Sequence, residues 1–528
     1  MKKLTICLFL VTFLVVLAGT FAIALSEKKL VLVVDPAAKG VATLNPLKIN
    51  WGTTAINVIY EGLVEMGEID GKYYPSLTSS WEMSNDAMTW TFKLKKGVKF
   101  HDGSEFNADI VKWFIEEMRE SPSDYMVQSV KSVTVEDPYT VTLHMEYPDP
   151  NLLFNLSSTF MTIPSKEAIE KYGDDFGIKY AVGTGPFILD EWIMDDQVIL
   201  KKNPDYKWGT ELSENKGPAK IDKLIIREMA EEATVFMELT SGGVDIAEGI
   251  SAIFLEKTKE DKNIDVVEIP SARLYYLAMN TQKEPYTDIK VREAICLAIN
   301  QEEILEHVFM NVGKVTHTYL IDQLEESKVP EEYKIRYNLD KAKEIMAEVG
   351  WKDADGDGIL EKGGEKFVAN LWVENVSIYR KTAEVVQGQL RKLGIDTKIT
   401  QFDTITYHDR LKKGNQELFI DLYGWGNANI LEYYFNSKRI GSWNFSMWDV
   451  EKSDELLDKA MTKALTWEER VEYFTDYHKY LLKQFPWAPI YLPPVNIAIR
   501  SNVIMPKEVT SAYFESPTFL DLDIIDVE

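Results

Sequence analysis

Residues 90–103 read Trp90-Thr91-Phe92-Lys93-Leu94-Lys95-Lys96-Gly97-Val98-Lys99-Phe100-His101-Asp102-Gly103. Trp90, Phe92 and Leu94 alternate with Thr91 and Lys93, the period-two pattern of a strand with one buried face. Gly97 and then His101-Asp102-Gly103-Ser104 are turns, and in the second a glycine tolerates positive φ. Beyond it, Asn107 or Ser104 can cap a helix over about 108–119. Val133–Val135 and Thr140–Met145, broken at Asp137-Pro138, form a hairpin. Strand, turn, helix and hairpin thus follow one another within some fifty-five residues.

The pattern continues outward. Leu30–Val34 is an unbroken apolar run ending at Asp35-Pro36, a buried strand feeding a loop, and Asn57–Val64 reads as helix. A strand pair surrounds Gly183–Phe187 and Gln197–Lys201. Helical spacing recurs at 288–300, 338–349, 379–393 and 454–464. Strands at 366–373 and 395–399 flank the third of these helices, an order that favours parallel pairing, and 418–423 is a further strand. The chain shows no internal repeat and no low-complexity linker, so its domains are expected to behave as a hinged pair.

A chain of 528 residues exceeds one compact core and calls for two or three domains. Its 45% hydrophobic and 27% charged residues are those of a globular protein. The 58 basic against 84 acidic side chains give a formal charge of −26, which repels nucleic acid and anionic lipid and excludes both as expected partners.

The first segment sets the compartment. Lys2 and Lys3 precede an apolar run from Leu4 to Leu17, and Ala22-Ile23-Ala24 gives the small-x-small pattern of a signal-peptidase site. Leu4–Leu25 is long enough to span a bilayer, but the Ala-x-Ala exit and the polar Ser26-Glu27-Lys28-Lys29 favour cleavage. The expectation is a signal peptide over 1–24 and a soluble mature chain, periplasmic or extracellular. Cys7 has no apolar region before it and is no lipidation site. Cleavage leaves Cys296 alone, in a helical apolar stretch where it reads as a small buried hydrophobe.

Several segments, in order, resemble one family, the extracellular solute-binding proteins of the dipeptide/oligopeptide/nickel class (family 5). They are Asn57-Val58-Ile59-Tyr60-Glu61-Gly62-Leu63, Trp81-Glu82-Met83-Ser84 with the strand and turn quoted above, and Gly183-Thr184-Gly185-Pro186-Phe187. Lys202-Asn203-Pro204-Asp205-Tyr206, Ser241-Gly242-Gly243-Val244-Asp245-Ile246 and Val291-Arg292-Glu293-Ala294-Ile295 follow. The resemblance implies an α/β, two-lobed periplasmic binding protein with an extra subdomain in the first lobe and the ligand in the interlobe cleft. By analogy lobe I takes residues 28–50, 182–282 and 488–528, the extra subdomain 51–181, and lobe II 283–487. Most signature residues read as architectural, His101 and Arg292 included.

Two constellations are sharper. Asp353-Ala354-Asp355-Gly356-Asp357-Gly358 resembles the opening of an EF-hand loop and makes Asp353, Asp355 and Asp357 a calcium candidate. The loop departs at its twelfth position, Gly364, and a strand follows where the exiting helix belongs, so an Asp/Gly-rich hairpin turn is the plainer reading. The second is Tyr423-Gly424-Trp425-Gly426-Asn427-Ala428-Asn429. The resemblance implies that this segment lines the cleft, and that peptide-binding relatives hold a free amine with an aspartate three residues after the tryptophan. Here that position is Ala428, with Glu432 or Asp421 as conceivable substitutes. Trp425, Asn427, Asn429 and Trp443 leave flat and amide groups suited to sugars, whereas Trp448 reads as core.

The expected function is the extracytoplasmic substrate-binding component of an ABC importer, working with a membrane permease and ATPase. It is expected as a monomer without cofactor or catalytic residues. The missing carboxylate tips the ligand towards a short oligosaccharide, with an oligopeptide almost level. An exported hydrolase is the rival class, but glycosidase chemistry needs two carboxyls roughly 5–9 Å apart. No motif marks such a pair, and no Gly-x-Ser-x-Gly elbow occurs.

Overall fold

The computed structural model describes residues 27–34, 42–49, 54–67, 72–229, 231–505 and 516–524. The expected signal peptide and Cys7 lie outside these residues. Among the described residues no helix is long and apolar enough to cross a membrane.

Two large sheets and one smaller sheet organise the chain. The seven-stranded sheet runs Ile264–Pro270, Pro494–Arg500, Ile246–Glu248, Lys29–Val33, Lys223–Arg227, Gln197–Lys202, Phe187–Ile193. Lys29–Val33 lies parallel to both neighbours. Its burial pattern fits the unbroken apolar run, since a central strand covered on both faces has no need of alternation. The six-stranded sheet runs Lys314–Val315, Trp487–Leu492, Arg273–Met279, Leu418–Gly424, Val368–Glu374, Asp396–Phe402. Its last two strands are parallel and joined through the helix Ser377–Leu393, as the strand–helix–strand order required.

The chain passes between these sheets twice, side by side. Ile264–Pro270 leads through Ser271 and Ala272 into Arg273–Met279, and Trp487–Leu492 leads through Pro493 into Pro494–Arg500. The Ser271 hydroxyl donates to the Pro493 carbonyl and pins the two crossings together. The two sheets thus meet at 271–272 and at 493. Only two residues separate the strands at the first crossing, too few to show as a break in the sequence pattern.

The smaller sheet is antiparallel, in the order Thr78–Met83, Thr89–Leu94, Thr140–Met145, Val130–Asp137. The helix Ala108–Met118 covers it, capped by Asn107, whose side chain accepts from the amides of Asp109 and Ile110. The helix expected over 57–64 is shorter. It spans Thr54–Ile59, and Val64–Met66 is strand. Between them Gly62 lies close against the subdomain, since a Cβ there would stand 2.9 Å from the Leu156 carbonyl oxygen.

Glu61 joins this subdomain to the seven-stranded lobe. Its buried carboxylate accepts from the Thr184 hydroxyl (2.7 Å), the Tyr206 hydroxyl (2.7 Å) and the Trp208 indole (2.8 Å). His101 serves the same junction. Its Nδ1 accepts from the Gly183 amide, so its Nε2 carries the proton that bonds the Gly185 carbonyl at 2.9 Å. Burial pushes His101 down to about 4 and keeps the ring neutral. Arg292 is also structural, donating to the carbonyls of Tyr286, Thr287 and Gln484. Cys296 is fully buried, and burial raises its thiol well above the ordinary range.

Asp353, Asp355 and Asp357 stand together on the surface with carboxylate oxygens within 4.8 Å of one another. Their own turn uses them: Asp353 accepts from the amides of Gly356 and Gly358, and Asp355 from that of Asp357. Lys366 places its ammonium 2.8 Å from Asp355 and 2.5 Å from Asp357, supplying the positive charge. Gly363 and Gly364, at positive φ, close the following hairpin of Glu361–Lys362 with Glu365–Lys366.

Candidate functional site

The strand Leu418–Gly424 ends at the sheet edge, and the loop after it turns towards the subdomain. The Trp425 amide donates to the Ala272 carbonyl at 2.8 Å, which ties the start of this loop to the first crossing between sheets. The Trp425 indole then packs against aromatic groups of the subdomain. Its ring lies 5.6 Å from Phe154, edge to face, and 6.5 Å from Phe160. Trp425 thus adds to two hydrophobic cores, that of the six-stranded lobe and that of the subdomain. Its Nε1 donates to Asn429 Oδ1 at 2.7 Å.

Asn427 is the polar counterpart of that contact. Its Nδ2 donates to Asn151 Oδ1 of the subdomain at 2.8 Å, while its Oδ1 accepts from the Asn429 amide (3.0 Å) and Arg470 Nη2 (2.6 Å). Arg470 Nη1 donates to Glu326 Oε1 at 2.9 Å, and both side chains are buried. The guanidinium also lies over the rings of Trp467 and Phe474. A continuous polar chain therefore runs Glu326–Arg470–Asn427–Asn151 from one lobe to the other.

Beside this chain is a cleft of about 590 Å³ between the subdomain and the six-stranded lobe. Tyr125, Asp149 and Asn151 line one wall and Asn429, Tyr433 and Arg470 the other. Tyr125 and Tyr433 meet edge to face at 5.5 Å. Asp149 is buried, its Oδ2 accepting from the Ser129 hydroxyl (2.6 Å) and its Oδ1 from the Asn151 amide (2.9 Å). The mouth carries Asp449, Glu451, Glu455 and Asp458 together with Lys438.

The site residues read from the sequence divide. Trp425, Asn427 and Asn429 come together at the contact between subdomain and lobe, and Asn429 lines the cleft. Ala428 is fully buried in the lobe core, and Tyr423 is buried with its hydroxyl on the Tyr319 carbonyl. Trp443 is 46% exposed and lies against Phe445 and against Tyr434, which also neighbours Tyr423. Of the two substitute carboxylates, Glu432 is held bidentately by Arg439 and Asp421 is buried within the strand Leu418–Gly424.

Asp149, Asn151 and Arg470 were missed. Arg470 had a legible signal. It occupies the core stripe of the helix Trp467–Leu482 with Phe474, Tyr477, His478 and Leu481, a place where a charge needs buried partners. Asp149 and Asn151 sit in a proline-bounded loop whose position opposite Asn427 is set only by the tertiary fold.

The comparisons with known proteins agree with this architecture. The model of the bacterial extracellular solute-binding proteins, family 5 Middle, matches residues 72–447, and the chain belongs to this family. It is 26% identical over 491 residues to Heme-binding protein A of Haemophilus influenzae, covering 86% of this chain and 85% of that protein. It is 27% identical over 537 residues to the dipeptide-binding protein of Escherichia coli, covering 93% of each. Among solved structures, NikA from Brucella suis in complex with Fe(III)-EDTA superposes with a TM-score of 0.81 at 23% identity, over 94% of this chain and 100% of that one. Family 5 proteins are non-enzymatic, periplasmic or extracellular, and serve ABC importers alongside a permease and an ATPase. The chain is accordingly the substrate-binding component of such an importer. The comparisons lend the oligosaccharide expectation no support.

Proposed function

We propose that this component captures a short peptide in the cleft between the subdomain and the six-stranded lobe, for import without chemical change. The observation that carries the reading is the state of Trp425. A sugar platform needs an open indole face and a polar rim, but this ring packs against Phe154 and Phe160, and its N–H is engaged by Asn429. What faces the cleft instead is a set of amide, phenol, carboxylate and guanidinium groups in a volume of about 590 Å³. That is within the range of small-molecule sites, and the donors and acceptors suit a peptide backbone. The E. coli relative named for dipeptides supports the same class.

Calorimetry of the purified mature chain against di- to pentapeptides and di- to pentasaccharides tests the proposal. Peptide binding with the ligand recovered intact is the expected result. Tight binding of a sugar with indifference to every peptide would overturn it, and recovery of a cleaved ligand would move the chain to the hydrolases.

A further inference from the structure

The inner part of the cleft carries more negative than positive charge. Asp149, Glu432 and the half-buried Asp454 line it with two guanidiniums, Arg439 and Arg470, and Glu326 stands behind Arg470 as its buried ion-pair partner. Arg439 is spent on Glu432, with its Nε and Nη2 donating to both oxygens. Arg470 directs its hydrogen bonds to Glu326 and Asn427. Asp149 is left with neutral donors only, the Ser129 hydroxyl and the Asn151 amide. A carboxylate offers about four acceptor positions, so Asp149 keeps lone pairs for a further donor, and it lines the cleft.

We propose that Asp149 is the anchor for a protonated amine of the ligand, placed on the subdomain wall of the cleft. This deepens the peptide reading above and rests on it. The amine completes the charge balance of the buried cluster, where a lone carboxylate is costly. Burial pushes the Asp149 carboxyl above the usual carboxylate range, opposed by Ser129, Asn151 and the Arg470 charge, as befits a group still short of a full partner. The contact between Asn151 and Asn427 holds the Asp149 loop against the Trp425–Asn429 loop, so an amine bound here touches both lobes. Asp149 thereby selects ligands that favour the arrangement in which the lobes meet.

The test is a pooled tripeptide library in two forms, free and N-acetylated, with bound members read by native mass spectrometry. The parent chain is expected to retain free-amine members at least about tenfold over acetylated ones, the scale of one charge-assisted hydrogen bond. Asp149→Asn is expected to reduce that ratio to within about twofold, and Asp149→Glu, which keeps the charge, to preserve most of it. The ratio between the two forms would not move if Asp149 only supported its loop. If the parent binds both forms equally, the anchor is wrong and the peptide reading stands. If it binds neither form, the peptide reading fails and takes the anchor with it. Retention of the preference by Asp149→Asn also overturns the proposal, and should that variant fail to fold, the parent ratio and Asp149→Glu still decide.

Discussion

Asn427 and Asn151 meet amide to amide, Nδ2 to Oδ1 at 2.8 Å, and join the six-stranded lobe to the subdomain across the cleft. The same Asn427 carboxamide accepts from Arg470, so one side chain couples the contact between lobes to a buried ion pair. Asn427→Ala removes both bonds and leaves Arg470 with a buried unsatisfied donor, a cost of about 1–3 kcal/mol. The expected outcome is a larger radius of gyration in solution scattering for the variant than for the parent, with a lowered thermal midpoint. An unchanged radius with only lowered stability would mean that the contact does not hold the lobes together.

Trp425→Ala removes the apolar half of the same contact. Phe154 and Phe160 lose their partner, while the strand Leu418–Gly424 behind the loop keeps its pairing with Arg273–Met279. Because the ring holds the subdomain against the lobe and does not face the ligand, ligand affinity is expected to fall indirectly, by roughly 1–3 kcal/mol, the scale of a truncated interface aromatic. Far-ultraviolet circular dichroism should be unaltered, and titration calorimetry reads the loss.

These residues also show how far sequence reaches. The strands at 89–94 and 418–424 and the Asn107 cap were legible because alternation and capping are local physics. So was the parallel pair around the helix Ser377–Leu393, whose two flanking strands could be read directly. The cleft was half legible. A Gly-Trp loop with two asparagines announced polar work, and Trp425, Asn427 and Asn429 do meet. Their partners come from about 276 residues earlier in the chain, as Asn151 shows, and no periodicity carries a separation of that length. Trp443, which lies nearby in sequence, meets the strand end through a shared neighbour, Tyr434, a relation that spacing does not show.

Glu65 gives the fold a pH dependence. Burial pushes its carboxyl up to about 7, with the neighbouring Glu61 charge adding to the shift and Thr210 and Lys95 opposing it. The folded state thus holds this proton more tightly than the unfolded chain, whose carboxyl titrates near its ordinary value of 4.5. The resulting stabilisation is complete below pH 4.5, is lost as the pH rises through 7, and is absent above that. Glu65→Gln should therefore gain on the parent by about 1–3 kcal/mol between these limits, with the difference level at higher pH. Thermal midpoints from pH 4 to 8 measure it, and a difference that grows towards low pH would contradict the assignment.

The pair of Arg470 and Glu326 is expected to behave as a unit. Both side chains are buried, at 3% and 1% exposure, so neither has water to fall back on. The second oxygen of Glu326, Oε2, is buried without a hydrogen-bond partner among the described residues. Arg470→Met strands that carboxylate entirely, and a cost of about 3–5 kcal/mol is expected, since an uncompensated buried charge is the expensive state. Glu326→Gln alone leaves the guanidinium with Asn427 and its two aromatic neighbours, and should cost less. The double variant Arg470→Met with Glu326→Gln should be more stable than Arg470→Met alone, because the second change removes the stranded charge. Urea denaturation of the four proteins closes the double-mutant cycle. Additive losses would mean that the two groups are stabilised separately, and that the polar chain from Glu326 to Asn151 does not act as one connection.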